Sequence, residues 1–140
     1  MKKNIWLNIA VLAIFILDRM LKQMAVKGFV LGTPFLGFSY FSNVNIALGI
    51  PLKGNFLYFL LIVVVTVVMA MLFRAYKKKK TIEIFSWTLV LVGAFSNLLD
   101  RVKYGSVTDY LNIPFFTALN LADVMISLGV IVLVYRLVSD

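Results

Sequence analysis

The sequence predicts an all-α membrane protein with four transmembrane helices and a small extracytoplasmic β-sheet in the first outer loop. Three observations predict it. The 140 residues are 62% hydrophobic and only 14% charged, with a mean hydropathy of +0.98. A soluble chain this small could not cover that much apolar surface with polar groups. The run from Phe56 to Phe73 carries no charge, and at about 1.5 Å per residue it crosses a hydrocarbon core of about 30 Å. Arg74 and the four lysines Lys77 to Lys80 follow it at once, as a cytoplasmic anchor would. The length suits one domain, residues 1–140.

Helix 1 is expected over about residues 5–23. Lys2 and Lys3 precede an apolar run from Ile5 to Leu17, which also resembles a signal peptide. The run continues into Asp18-Arg19-Met20-Leu21-Lys22 without a small-residue cleavage site, so a retained helix is expected. Asp18 and Lys22 are four apart and share a face. They form either a local ion pair or part of a polar site at the membrane surface.

Residues 24–54 form the first outer loop. Five glycines and two prolines punctuate it. The aromatic and β-branched segments between them predict two or three short strands lying on lipid or on a lipid-bearing substrate. Asn43 and Asn45 are its notable polar residues, and turn formation is the plain reading of both. Helix 2 is expected over about 55–73, helix 3 over about 82–99 and helix 4 over about 121–138, with a second outer loop at about 101–118.

Charge sets the topology. With four spans, Lys2, Lys3, Arg74, Lys77, Lys78, Lys79, Lys80 and Arg136 share one side, against Arg19, Lys22, Lys27, Lys53, Arg101 and Lys103 on the other. The positive-inside rule makes the first side cytoplasmic, with both termini there. The net charge of +8 therefore serves orientation, and no nucleic-acid partner is expected.

This topology gathers Asp18, Asp100, Asp109 and Asp123 at the outer membrane level, four of only six carboxylates in the chain. An ionisable residue at the centre of a span costs about 2.5–3.5 kcal/mol on insertion scales, and less near an end. A polar cavity is the functional reading. Hydrogen bonding between helices is the structural one, and it accounts locally for Asn97 with Asp100 and for Asn120 with Asp123. The chain has no Cys and no His, which removes thiol nucleophiles, Ser-His arrangements and most zinc and iron sites. No metal or cofactor is expected. Ser-Lys and Asp-Asp pairs remain, and the aspartates are better placed. Two carboxylates within hydrogen-bond reach share one proton. One can deprotonate water while the other protonates the carbonyl oxygen or the leaving amine. Asp123, in the first turn of helix 4, is the more acidic member by its position at the positive end of the helix dipole.

The stretch Gly93, Ala94, Asn97, Asp100, Arg101, Gly105, Val107, Asp109, Tyr110, with Asn120, Ala122 and Asp123 beyond it, resembles the lipoprotein signal peptidases (signal peptidase II). These are bacterial inner-membrane aspartic peptidases with four transmembrane helices. The resemblance implies Asp109 and Asp123 as the catalytic pair and Asn97, Asp100, Arg101 and Asn120 as supporting polar residues. Asp18 and Lys22 match the family's helix 1 pattern, in which Gln usually follows the aspartate where this chain has Arg19. Segment 42–49 keeps the family's Asn43 and Gly49 but has Asn45 and Leu48 where a glycine and an aromatic are usual. By resemblance Asn43, Asn45 and Gly49 lie near the substrate, a diacylglyceryl-modified prolipoprotein whose signal peptide is removed. Two other readings stay open: a catalytically silent lipoprotein-binding relative, and a small channel or transporter subunit with acids lining its pathway.

Overall fold

The computed structural model describes residues 2–33, 36–45, 54–113 and 118–139. The described residues form four helices: α1 (Lys2–Val26), α2 (Asn55–Lys77), α3 (Thr81–Tyr104) and α4 (Leu121–Ser139). Three strands accompany them: β1 (Leu31–Gly32), β2 (Gly37–Asn43) and β3 (Val107–Asn112). Three helical stretches, Phe56–Lys77, Thr81–Tyr104 and Leu121–Ser139, are long and apolar enough to cross a membrane. α1 carries the expected apolar run, but Asp18, Arg19 and Lys22 lie within it.

The burial pattern is inverted relative to a soluble protein. Outward-facing positions are apolar: Trp6, Ile9 and Leu12 on α1, Phe59, Ile62 and Phe73 on α2, Ile131 and Leu137 on α4. Inward-facing positions include Asp18, Lys22, Asn97, Asp100 and Arg101. Water outside such a surface would be costly, whereas hydrocarbon would not.

α3 is the hub and packs against each of the other helices. It approaches α4 closely because two glycines remove side-chain bulk. A Cβ on Gly93 would stand 2.6 Å from the Ala122 carbonyl oxygen, and one on Gly129 would stand 2.7 Å from the Ser86 carbonyl oxygen. Small residues at helix crossings give membrane helices their dispersion contacts. Val11, Leu89 and Met125 join α1, α3 and α4 in a small apolar core.

The lysine run forms the turn between α2 and α3. Lys79 is left-handed at φ 54, and the N–H groups of Lys79 and Lys80 return to the carbonyls of Tyr76 and Ala75. That is the Schellman pattern, with lysine where glycine is usual.

Three helices run past their expected ends: α1 reaches Val26 rather than Gln23, and α2 reaches Lys77 rather than Phe73. α3 runs on to Tyr104, past the expected end at Leu99, so Asp100 and Arg101 are helical. It stops where Gly105, at φ 73, donates its N–H to the Arg101 carbonyl. The α3–α4 connection, expected as a second outer loop, contains a strand. β3 pairs antiparallel with β2, with Phe41 opposite Asp109 and Asn43 opposite Val107, and β1 lies on the far side of β2. The sheet is thus built from both the α1–α2 and the α3–α4 connections, not from the first alone. β3 gave no alternation signal because Val107 to Tyr110 are all buried, on both faces. Paired backbone hydrogen bonds between Leu111 and Leu119 (2.8 and 3.0 Å) bring the chain back to the start of α4.

Candidate active site

The start of α4 lies inside the protein, so its free N–H groups need partners. Each finds one. Leu121 N–H donates to the Tyr110 hydroxyl at 3.0 Å. Ala122 N–H donates to Asp18 Oδ1 at 3.3 Å, and Asp123 N–H to Asn120 Oδ1 at 2.9 Å. Asn120 N–H in turn donates to Asp123 Oδ2 at 3.2 Å. The Asn120–Asp123 exchange is a capping box, so the three-residue spacing first fixes a helix start.

The same cap builds the site. The Asn120 amide donates to Asp109 Oδ1 at 2.6 Å, with a longer contact of 3.3 Å to Asn97 Oδ1. Asn97 Nδ2 donates to Asp123 Oδ1 at 2.8 Å. From the sheet, Asn43 Nδ2 donates to Asp109 Oδ2 at 2.9 Å. Asn43 and Asp109 are diagonal neighbours in the β2–β3 register, so their side chains share a face. Asp109 and Asp123 therefore meet around one Asn120 side chain, and each takes its side-chain hydrogen bonds from neutral amides. Among the described residues neither forms an ion pair. Asp109 is fully buried and Asp123 half-buried, so the pair opens outward at Asp123.

The other two buried aspartates are matched to cations. Lys22 Nζ lies 2.8 Å from Asp100 Oδ2, 3.4 Å from Asp18 Oδ2 and 2.9 Å from Asn97 Oδ1. Arg19 lies 2.6 Å from Asp100 Oδ1. Asp100 also accepts the Thr108 N–H at 3.2 Å. Ser96 donates to Asp18 Oδ2 at 2.6 Å and the Tyr110 hydroxyl to Asp18 Oδ1 at 2.9 Å. Asp18 and Lys22 are thus both an i, i+4 pair and members of the buried cluster. Such charges are tolerated only when matched and hydrogen-bonded.

Electrostatics separate Asp109 from an ordinary surface carboxylate. Burial first, and the nearby Asp123 charge, raise it to about 6 against the hydrogen bonds of Asn43 and Asn120 and the Lys22 charge. Burial, then the Asp18 charge, also raises the Tyr110 phenol, which keeps it a hydrogen-bond donor.

The structure brings together most of the residues singled out in the sequence. Asn97, however, bonds to Asp123 and Lys22, and its local pairing with Asp100 does not form. Arg101 is one step removed from the carboxylates in hydrogen bonding. Its guanidinium donates to the Asn45 carbonyl at 3.0 Å, and Asn45 N–H closes on Asn43 Oδ1 at 3.0 Å as an Asx turn. Gly49 lies outside the described residues. Sequence reasoning gave no role to Ser96 or Thr108 and treated Arg19 only as a departure. Ser96 and Arg19 had a usable signal, since each is a polar residue beside a cluster member in an apolar span. Thr108 acts through its backbone and left no side-chain signal.

Comparisons with known proteins identify the family. A family model described as signal peptidase (SPase) II matches residues 10–139. The lipoprotein signal peptidase of Clostridium tetani is 34% identical over 138 residues, covering 89% of this chain and 87% of that protein. That of Thermodesulfovibrio yellowstonii is 30% identical over 139 residues, covering 92% of each. Two solved structures of bacterial membrane enzymes, both determined by the in meso method, share the fold. One, at 2.3 Å resolution, has a TM-score of 0.79 at 22% identity, covering 100% of this chain and 90% of its own. The other, at 1.9 Å resolution, has a TM-score of 0.74 at 24% identity, covering 100% and 95%. The chain belongs to the signal peptidase (SPase) II family, and is a bacterial membrane protease.

Proposed function

We propose that this protease is an aspartic endopeptidase that removes the signal peptide from diacylglyceryl-modified prolipoproteins, with Asp109 and Asp123 as its catalytic pair. The observation that carries the reading is the division among four clustered aspartates, three of them buried and Asp123 half-buried. Asp18 and Asp100 are matched by Lys22 and Arg19, whereas Asp109 and Asp123 face neutral amides. A carboxylate tied to a cation is a poor proton carrier, because its charged form is stabilised. A pair held by amides can share and pass a proton.

Asp109, raised by burial, holds the shared proton. Asp123, at the start of α4, accepts the Asn120 N–H on its Oδ2 and stands as the proton acceptor of the pair. Asp123 takes a proton from water as the water oxygen attacks the scissile carbonyl carbon. Asp109 gives its proton to the carbonyl oxygen. Collapse of the tetrahedral gem-diol then breaks the C–N bond: the proton on Asp123 passes to the leaving amine while one gem-diol hydroxyl returns its proton to Asp109, which leaves a carboxylic acid and restores the pair. Asn97, Asn120 and Asn43 hold the carboxylates through these steps. Arg101, Asp100, Lys22 and Asp18 hold the frame.

Four spans are proposed, with α1 as the first, both termini cytoplasmic and the pair near the outer face of the bacterial inner membrane. The exposed Phe41, Tyr40, Leu36 and Val30 around the sheet support contact with lipid or with an acylated substrate at that face. Asn43 and Asn45 then border the peptide.

Cleavage of a diacylated prolipoprotein in vitro tests the assignment. The Asp109→Asn and Asp123→Asn variants should each insert and fold yet lose processing. Substantial cleavage by either overturns the Asp-pair mechanism. Ion flux through liposomes without processing would favour a channel.

A further inference from the structure

At the end of the helices remote from the aspartates, α2 and α4 both lean on α3 but, among the described residues, do not contact one another. Between them lies a cleft of about 580 Å³, within the size range of ligand pockets. Trp87 of α3 lines it, and Met71 of α2 and Leu133 and Val134 of α4 add apolar surface. Its rim carries Arg74 and Lys78, four residues apart at the end of α2. Lys80 at the rim is paired with Glu83 at 2.6 Å. Among the described residues neither Arg74 nor Lys78 forms an ion pair.

Positive charge that only orients a membrane protein needs no cavity. Here two cations without a carboxylate partner stand at the mouth of an apolar cleft open between two lipid-facing helices. We propose that this cleft binds one anionic phospholipid, its phosphate between Arg74 and Lys78 and an acyl chain along Trp87, Met71 and Val134. The inference rests on the membrane-embedded reading, and on nothing at the aspartate pair. Basic residues near a bilayer surface attract anionic headgroups, and two of them correspond to a preference of about tenfold or more over a zwitterionic lipid.

The chain holds two tryptophans, Trp6 and Trp87, so Trp6→Phe leaves Trp87 as the reporter. The Trp6→Phe protein is placed in phosphatidylcholine nanodiscs containing a small fraction of brominated phosphatidylglycerol or, separately, brominated phosphatidylcholine. The expected result is Trp87 quenching at about tenfold lower mole fraction for the anionic lipid, with the two curves converging when Arg74→Gln and Lys78→Gln are combined. Equal quenching by the two lipids in the Trp6→Phe protein overturns the site without touching the membrane reading, and needs no further variant. Quenching by neither lipid overturns both. A preference that survives the double substitution overturns the assignment to Arg74 and Lys78.

Discussion

The side-chain amide of Asn120 donates to Asp109 Oδ1 at 2.6 Å from the residue that caps α4. One side chain thus starts the helix that carries Asp123 and holds the Asp109 carboxylate. The two duties can be separated. Ser is about as good an N-cap as Asn, whereas Ala forfeits about 1 kcal/mol. Asn120→Ser should keep most of the thermal stability yet lose the reach to Asp109, with cleavage falling at least about tenfold, the loss typical of a supporting hydrogen-bond partner. Asn120→Ala should lose both. Equal activity of the Ser variant and wild type would show that the Asp109 contact does not matter.

Asp109 also predicts a pH dependence of stability. Its ordinary value is 3.8 and in the folded protein it is raised to about 6. Between those values the folded state binds more protons than the unfolded one. Its contribution to stability is therefore full below about 4 and is lost as pH rises through about 6. Asp109→Asn removes this loss. Thermal midpoints in detergent should show the variant gaining on wild type from pH 4 to pH 7. Parallel profiles would contradict the raised value.

Arg19 bonds a fully buried aspartate, Asp100, at 2.6 Å. It is itself about one-quarter exposed, at 24%, so solvent weakens the pair. Arg19→Ala should destabilise by about 1–3 kcal/mol, the range for a charged hydrogen bond left unmade. Arg19→Gln, which keeps an N–H donor, should lose less. Chemical denaturation in mixed micelles would order the two, and the reverse order would count against this role.

Gly93 sets the separation of α3 from α4. Its added Cβ would stand 2.6 Å from a backbone oxygen, and backbone yields less readily than a flexible side chain. Gly93→Ala should cost about 1–3 kcal/mol by overpacking. Because Asn97 lies one turn further along α3 and bonds Asp123, activity should fall as well. Unchanged stability and activity would mean that the crossing has slack.

Lys79 offers a change in the opposite direction. It holds a left-handed conformation at φ 54, which costs a non-glycine residue about 1–2 kcal/mol. Lys79→Gly should raise the thermal midpoint while leaving activity unchanged.

The chain's own residues determined the membrane class, the three clearest helical spans and the polar cluster, because length, hydropathy and charge are local properties. The absence of Cys and His likewise removed thiol and Ser-His chemistry. What the sequence could not decide is which partner each polar group takes. Asp100 and Asp109 look alike in sequence, yet Asp100 is matched by Lys22 and Arg19 and Asp109 is held by Asn43 and Asn120. That division depends on α1 meeting α3 and on β2 pairing with β3, contacts between segments some 66 to 81 residues apart. β3 escaped notice for the same reason. A strand buried on both faces has no alternation to read, and only its pairing with β2 and the return at Leu119 make it a strand. Hydropathy writes the spans into the sequence. Long-range pairing, which no local pattern encodes, decides which two of four aspartates take a cation and which two are held by amides.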